Sequence, residues 1–502
     1  MTKQNVKKVV IVGGGTAGWM TAASLTKLIG KDLDVTLVES DEIGTVGVGE
    51  ATIPTFFALH QLLKIDEAEF LSEVQGTIKL GISFENWKDK GEDYIHAFGY
   101  TGKSCWAAGF QHFWLKGKEL GFSDQYSSYS PELMAAKANK FGLLKQNPLN
   151  YAYHIDASLY AKFLRRIAEK SGVTRQEGKI IAVNQSSDGS IKSVDLESGI
   201  TVRGDLFIDC SGFAGLLIDK TLGTEFEDWS HWLPCDSAVA VQTASVAPPI
   251  PYTRSIARDF GWQWRIPLQS RVGNGFVFSS QYLSDENAKK VLLDNVEGKI
   301  LTEPRVIKFR TGQRVKQWNK NCVSLGLAAG FLEPLESTSI HLIQRGIIRL
   351  MQMFPLAGIT DADRDEFNRQ MSDEYYFIRD FIIMHYHVTE RRDTEFWKHC
   401  GEMEIPDSLD HRLRLFKQSG RVFQGEGDVF GENSWTQVML GQGLMPEQYH
   451  PIVNMMSDSE LQGFLQSNRA LVDHVINQLP SHQQFLSQYC PSKLVSISTE
   501  IP

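Results

Sequence analysis

The sequence predicts an α/β protein with three parts: a parallel-sheet nucleus at the N-terminus, an antiparallel-sheet subdomain in mid-chain and a helical C-terminal region. Three observations carry that expectation. Lys8-Val-Val-Ile-Val12 is an unbroken apolar run ending in glycines, followed by a helix-compatible stretch and a second apolar run, Asp34-Val-Thr-Leu-Val-Glu39. From about residue 225 to 320 the apolar residues alternate, as on a strand with one solvated or ligand-facing side. Beyond Ser339 the apolar spacing is mostly helical.

Taken in order, 8–12 is apolar at consecutive positions, which marks a strand buried on both faces. Thr16 to Ile29 suits a helix and Gly30 its C-terminal cap. With Asp34–Glu39 these segments make one β-α-β unit. A glycine-punctuated loop and a helix occupy 45–87, and an aromatic-rich stretch runs on to about Trp114. Ala157 to Ser171 reads as a helix. The segments 179–183 and 191–196 flank Ser-Ser-Asp-Gly and read as a hairpin. Leu206-Phe-Ile-Asp209 and Val323-Ser-Leu-Gly-Leu327 are again buried-strand patterns. Helix breaks are expected near Pro355, Pro406 and Pro446, and Ala247-Pro-Pro-Ile-Pro251 is the nearest thing to a linker.

The first turn carries chemistry. Gly13, Gly15 and Gly18 fit G-x-G-x-x-G. In that pattern the first glycine makes the tight turn, the second lets the backbone approach a pyrophosphate, and the third lets helix pack on strand. Glu39 ends the second strand 21 residues after Gly18, where a carboxylate can accept ribose hydroxyls. This is a Rossmann-type dinucleotide fold, and by itself it leaves FAD and NAD open.

At 502 residues the chain has room for about three structural units and a multilayered core. The net charge of −9, from 51 basic and 60 acidic residues, supplies no basic surface for nucleic acid. The six cysteines include no CxxC pair, which fits reduced thiols in the cytoplasm. No signal-type leader and no apolar run of about 18 residues is present, so neither export nor membrane spanning is expected.

Several further motifs recur together in one family. They are Val46-Gly-Val-Gly-Glu-Ala-Thr-Ile-Pro54, the Lys79 segment Thr77-Ile-Lys-Leu-Gly-Ile-Ser-Phe-Glu-Asn-Trp87, Trp262-Gln-Trp-Arg-Ile-Pro267 and Phe331-Leu-Glu-Pro-Leu-Glu-Ser-Thr-Ser-Ile340. With the glycine turn they resemble the flavin-dependent halogenases of the tryptophan halogenase family, along essentially the whole chain. The resemblance implies an FAD-binding monooxygenase-like fold. Residues 1–350 would form the FAD module with the 225–320 sheet interleaved, and 351–502 the helical region that completes the substrate pocket. The Gly-Asp pair by which hydroxylases of that scaffold hold the ribityl chain is replaced here by Gly326-Leu-Ala-Ala-Gly330, which disfavours an ordinary flavin hydroxylase.

What the resemblance implies for residues is specific. Gly13, Gly15, Thr16, Ala17, Gly18, Glu39, Gly49, Glu50, Ala51, Ile180, Leu327 and Ile340 would bind FAD. Trp262 and Trp264, at i and i+2 on one strand face, would lie beside the flavin and keep substrate from it. FADH2 from a separate flavin reductase would use O2 to turn chloride or bromide into hypohalous acid. Lys79 would deliver the halogen to an electron-rich aromatic, and Glu336 would polarise the reagent or take the ring proton. Halide would rest on the backbone amides of Thr338 and Ser339. Ser339 stands where most tryptophan halogenases carry glycine, which leaves the preference between chloride and bromide open.

His96 and Phe98, in His96-Ala-Phe-Gly99, would stack on the substrate, as would Phe396 and Trp397. The resemblance favours an indole, free tryptophan being less secure. The plain alternatives are a solvated surface lysine for Lys79, a helix-end carboxylate for Glu336, and core aromatics for the rings. His385 and His387 lack a third ligand, so no metal is expected. At the level of function, an FAD-dependent aromatic hydroxylase or a non-catalytic flavin-binding redox sensor are the competing readings. A homodimer is left open.

Overall fold

A computed structural model describes residues 5–30, 33–43 and 49–493. The positions Val46, Gly47 and Val48 of the glycine-rich motif lie outside the described residues. The N-terminal nucleus is a six-stranded sheet in the order Trp318–Asn319, Cys322–Ser324, Leu206–Asp209, Lys8–Val12, Asp34–Glu39, Thr174–Glu177. Lys8–Val12 pairs in parallel with Asp34–Glu39 on one side and Leu206–Asp209 on the other. The strand order therefore reverses direction at the end of Lys8–Val12, the place where an open α/β sheet leaves a crevice for ligand.

Four of the five residues of Lys8–Val12 are buried, and the helix Thr16–Ser24 follows the glycine turn directly. The helix departs from expectation in its last turn, where Leu25–Ile29 widens to a π-helix before Gly30 takes φ +107°. The 323–327 strand is shorter than its pattern suggested, ending at Ser324, because Gly326 adopts φ +66° and Gly326–Ala328 forms a 3₁₀ turn.

The second sheet has seven strands: Arg305–Lys308, Ser237–Ala244, Arg271–Phe278, Gly261–Pro267, Thr253–Arg258, Gly81–Glu85, Asp93–Ala97. Neighbours are antiparallel except Thr253–Arg258 with Gly81–Glu85. The mid-chain pattern accounts for five of these strands, and the chain just after Lys79 supplies the other two. A helix, Asp285–Asp294, interrupts the alternation. Ala247–Pro251 is stitched down, with Leu80 N–H donating to the Pro251 carbonyl at 2.7 Å and His482 donating to that of Pro249 at 2.8 Å.

A small antiparallel sheet links the two larger ones: Gly49–Ala51 and Thr77–Lys79 flank Ala152–Asp156. The C-terminal region includes the helices Ser339–Gln352, Asp361–His387, Asp407–Ser419, Glu432–Gly441 and Asp458–Gln478. Ile340, Ile343, Ile347 and Leu350 form the buried stripe of the first of these. One apolar core runs through both large sheets and these helices. No described helix is long and apolar enough to cross a membrane.

Candidate active site

The glycine turn shows which positions have room. A Cβ on Gly13 would lie 2.2 Å from the Cys210 carbonyl oxygen, and Gly13 takes φ +111°. A Cβ on Gly18 would lie 1.9 Å from the Gly13 carbonyl oxygen, so helix and strand touch there. Gly15 differs, since nothing lies within 4 Å of its added Cβ. The open position faces the start of Thr16–Ser24, where unpaired N–H groups favour an anion. Glu39 ends its strand beside this turn, its carboxylate 2.5 Å from Arg175 Nε and 3.3 Å from Trp19 Nε1. An open cradle at a helix start with a strand-end carboxylate beside it fits the diphosphate and ribose of FAD. Thr16 and Ala17 begin that helix.

The other residues of the expected cofactor set spread along the chain. Gly49, Glu50 and Ala51 form the edge strand against Ala152–Asp156. Ile340 is buried in the first turn of its helix, and Leu327 sits in the 3₁₀ turn beside Gly326. Ile180 opens the first strand of a surface hairpin and packs against the cluster of Val194 and Leu196.

Trp262 and Trp264 share a face, with ring centroids 6.1 Å apart. Gly275 makes room for the second ring: a Cβ there would fall 1.9 Å from the Trp264 indole. Trp262 Nε1 donates to Glu333 at 2.8 Å, and the Tyr386 hydroxyl donates to the same oxygen at 2.6 Å. Burial pushes the Glu333 carboxyl up to about 7, against these two hydrogen bonds.

Lys79 ends its strand fully buried. Its ammonium donates to the Thr52 carbonyl at 3.1 Å and to Ser337 Oγ at 2.7 Å, and stands 5.0 Å from the centre of the Phe98 ring. Burial lowers its pKa to about 7, opposed by the field of Glu336. A lysine near that value exchanges between ammonium and free amine in neutral solution.

Glu336 closes the 3₁₀ turn Pro334–Glu336, and Ser337 then takes φ +60° before the helix starts at Ser339. This left-handed residue, costly outside glycine, turns the chain so that Ser337 meets Lys79. The Glu336 carboxylate is held between two imidazoles. His96 Nδ1 lies 3.0 Å from both of its oxygens, and His385 Nε2 lies 2.9 Å from Oε1. Burial favours the neutral acid, yet His96 and His385 outweigh it and hold the carboxyl down at about 2. The helix that follows begins at the buried Thr338, whose hydroxyl is unpartnered, and at Ser339.

His96 and Phe98 stand two residues apart along the same extended segment, so both project to the face that carries Lys79 and Glu336. Two amides fix this segment: Gln437 Oε1 accepts from Ala97 N–H at 3.0 Å, and Asn433 Oδ1 accepts from Thr101 N–H at 3.0 Å. Phe396 and Trp397 pack elsewhere, Phe396 against Tyr282 and Tyr386 and Trp397 against Trp87 and Tyr386. The rings that meet His96 are Phe381 and Phe430, which stack on each other at 3.8 Å, with Trp435 edge-on to Phe381.

His385, Phe381, Phe430, Asn433 and Gln437 were not identified as site residues from the sequence. The one available signal was periodicity. Phe381 and His385 lie four apart on one helix face, which reads equally well as core packing.

The family profile for tryptophan halogenases matches residues 8–458. Tryptophan 7-halogenase RebH of Lentzea aerocolonigenes is 33% identical, over 96% of this chain and 98% of its own. The structure of Xcc4156, a flavin-dependent halogenase from Xanthomonas campestris, superposes with a TM-score of 0.96 at 55% identity, covering 97% of this chain and 99% of its own. That of BrvH, a flavin-dependent halogenase from Brevundimonas sp. BAL3, does so with a TM-score of 0.93 at 42% identity, covering 97% and 99%. A match of this extent in sequence and in fold, on a chain that buries a lysine beside an imidazole-clamped glutamate, makes the protein a member of the tryptophan halogenase family.

Proposed function

We propose that the protein is an FADH2-dependent halogenase that places chlorine or bromine on a small, electron-rich, indolic aromatic. Bound reduced FAD supplies the electrons with which O2 oxidises halide to hypohalous acid. A separate flavin reductase provides the FADH2. The glycine turn and Glu39 hold the cofactor, and the start of the Ser339 helix, with the amides of Thr338 and Ser339, holds the halide.

The observation that carries the reading is the position of Lys79. Free hypohalous acid attacks many groups, so selectivity needs a donor fixed against one ring. Lys79 is a buried amine above Phe98, tied by Ser337 to the loop that carries Glu336. A surface ammonium or a redox sensor needs none of this. Phe98, Phe381 and Phe430 supply flat apolar walls suited to an indole. The Trp262–Glu333–Tyr386 hydrogen bonds brace the tryptophan pair against the same loop, which helps keep substrate off the flavin.

The test is mass spectrometry of products from a panel of indoles and phenols, with reduced FAD, O2 and competing chloride and bromide. Halogenated indole is the expected product. An oxygenated product, or steady NADPH oxidation by the isolated protein, would establish the hydroxylase reading instead.

A further inference from the structure

We propose that His96 Nε2 is the base that removes the ring proton, and that Glu336 acts through His96 by fixing its tautomer and balancing its charge. This rests on the halogenase reading above and assigns the proton-transfer step within it.

The argument is an inventory of donors. Both oxygens of Glu336 are engaged by imidazoles, and the side chain is fully buried. A carboxylate only accepts hydrogen bonds, so His96 Nδ1 carries a hydrogen and donates it. In the neutral ring Nε2 is then the lone pair. That atom is buried and has no partner, an arrangement costly enough to call for an occupant. His96 shares its face with Phe98, over which Lys79 stands, so the lone pair serves the same space as the amine.

His385 is set the other way round. Its Nδ1 lies 2.8 Å from the Phe381 carbonyl, which can only accept, so Nδ1 carries a hydrogen. Its Nε2 lies 2.9 Å from Glu336 Oε1, so that nitrogen is turned to the carboxylate although no well-aligned hydrogen bond forms there. With Nδ1 on the Phe381 carbonyl and Nε2 against the carboxylate, neither ring nitrogen of His385 is left for a substrate. Of the two imidazoles, only His96 has a ring nitrogen that is neither hydrogen-bonded nor set against a charged group. A carboxylate behind the far nitrogen of an imidazole holds the base in the right tautomer and stabilises the imidazolium that forms.

The step balances. Halogen passes as an electrophile from the hypohalous acid held at Lys79 to a ring carbon, and the departing oxygen leaves as water with a proton from the ammonium. The halogenated arenium ion gives its C–H proton to His96 Nε2, and the C–H electron pair restores aromaticity. Return of that proton to the Lys79 amine closes the cycle. The sum is hypohalous acid plus arene giving haloarene plus water.

The experiment compares wild type, His96→Ala and His96→Phe as holoenzymes with indole, ring-deuterated indole and bromide, after checking flavin binding. His96→Phe retains a stacking ring, so it separates a base from a platform. Both variants are expected to lose about 10²- to 10⁴-fold in turnover. They should acquire a primary isotope effect absent in wild type and retain hypobromous acid formation, read with a diketone trap. Added imidazole should restore His96→Ala, with rates rising with the basicity of substituted imidazoles. Wild-type turnover in His96→Phe, or slow variants with neither an isotope effect nor imidazole rescue, would overturn the assignment. A wild-type protein that makes no bromoindole would instead defeat the halogenase reading, before any variant is measured.

Discussion

Lys79 reaches the loop of Glu336 through the hydroxyl of Ser337, at 2.7 Å, while both carboxylate oxygens are taken by His96 and His385. The lysine and the carboxylate therefore influence each other by field rather than by contact. The separation keeps the amine from being neutralised in a tight ion pair and leaves it close to its switching point.

Ser337→Ala tests that link. The substitution keeps Cβ and the left-handed backbone and removes only the acceptor of the Lys79 hydrogen bond. The ammonium loses stabilisation, so the pKa of Lys79 falls below its present value of about 7. The alkaline limb of the pH–rate profile should move to lower pH. Halogenation above that limb should drop by about tenfold, the usual worth of a hydrogen bond to a charged group.

Lys79→Met should abolish ring halogenation while leaving flavin binding and halide oxidation in place. It should also change stability in a signed way. Burial lowers the lysine from 10.5 to about 7. Between those values the unfolded chain holds a proton that the folded chain does not, so this group makes the protein more stable as pH rises through the window. Lys79→Met should remove a slope of about 1.4 kcal/mol per pH unit there, read by urea unfolding of both proteins at several pH values between 7 and 10.5.

Glu336→Gln should lower turnover by at least about 100-fold. With the carboxyl held at about 2, Glu336 stays ionised throughout the working range, so it should contribute no acid limb near neutrality to the pH–rate profile. In folding, a depressed carboxyl contributes stability above its ordinary value of 4.5 that is lost as pH falls towards about 2. Acid unfolding of the Gln variant should show that component missing.

Glu333 behaves in the opposite sense. Burial raises its carboxyl from 4.5 to about 7, so between those values the folded chain holds a proton that the unfolded chain has lost. Stability from this group is full below 4.5 and disappears as pH rises through about 7. Glu333→Gln should flatten that slope in thermal melts. Glu333→Ala should cost about 2–6 kcal/mol by orphaning the Trp262 and Tyr386 donors, and should let the tryptophan pair move.

The sequence by itself determined the parallel nucleus, the glycine turn with Glu39, the alternating mid-chain strands and the tryptophan pair, and the motifs that carry its family resemblance pointed to Lys79, Glu336, His96 and Phe98. These were legible because each depends on local pattern: apolar runs, a left-handed glycine, or a motif spaced along a few residues. Only the tertiary structure decided that 81–97 joins the second sheet, that Ser337 rather than Glu336 meets Lys79, and that His385 faces the carboxylate. It also put Phe381 and Phe430 beside His96 and sent Phe396 and Trp397 to the core around Tyr386. The contacts that build the site join residues far apart in the chain, such as His385 with Glu336 and Phe430 with His96. A buried histidine or phenylalanine on a helix looks the same in sequence whether it packs a core or lines a site, because hydrophobic burial sets the periodicity in both cases.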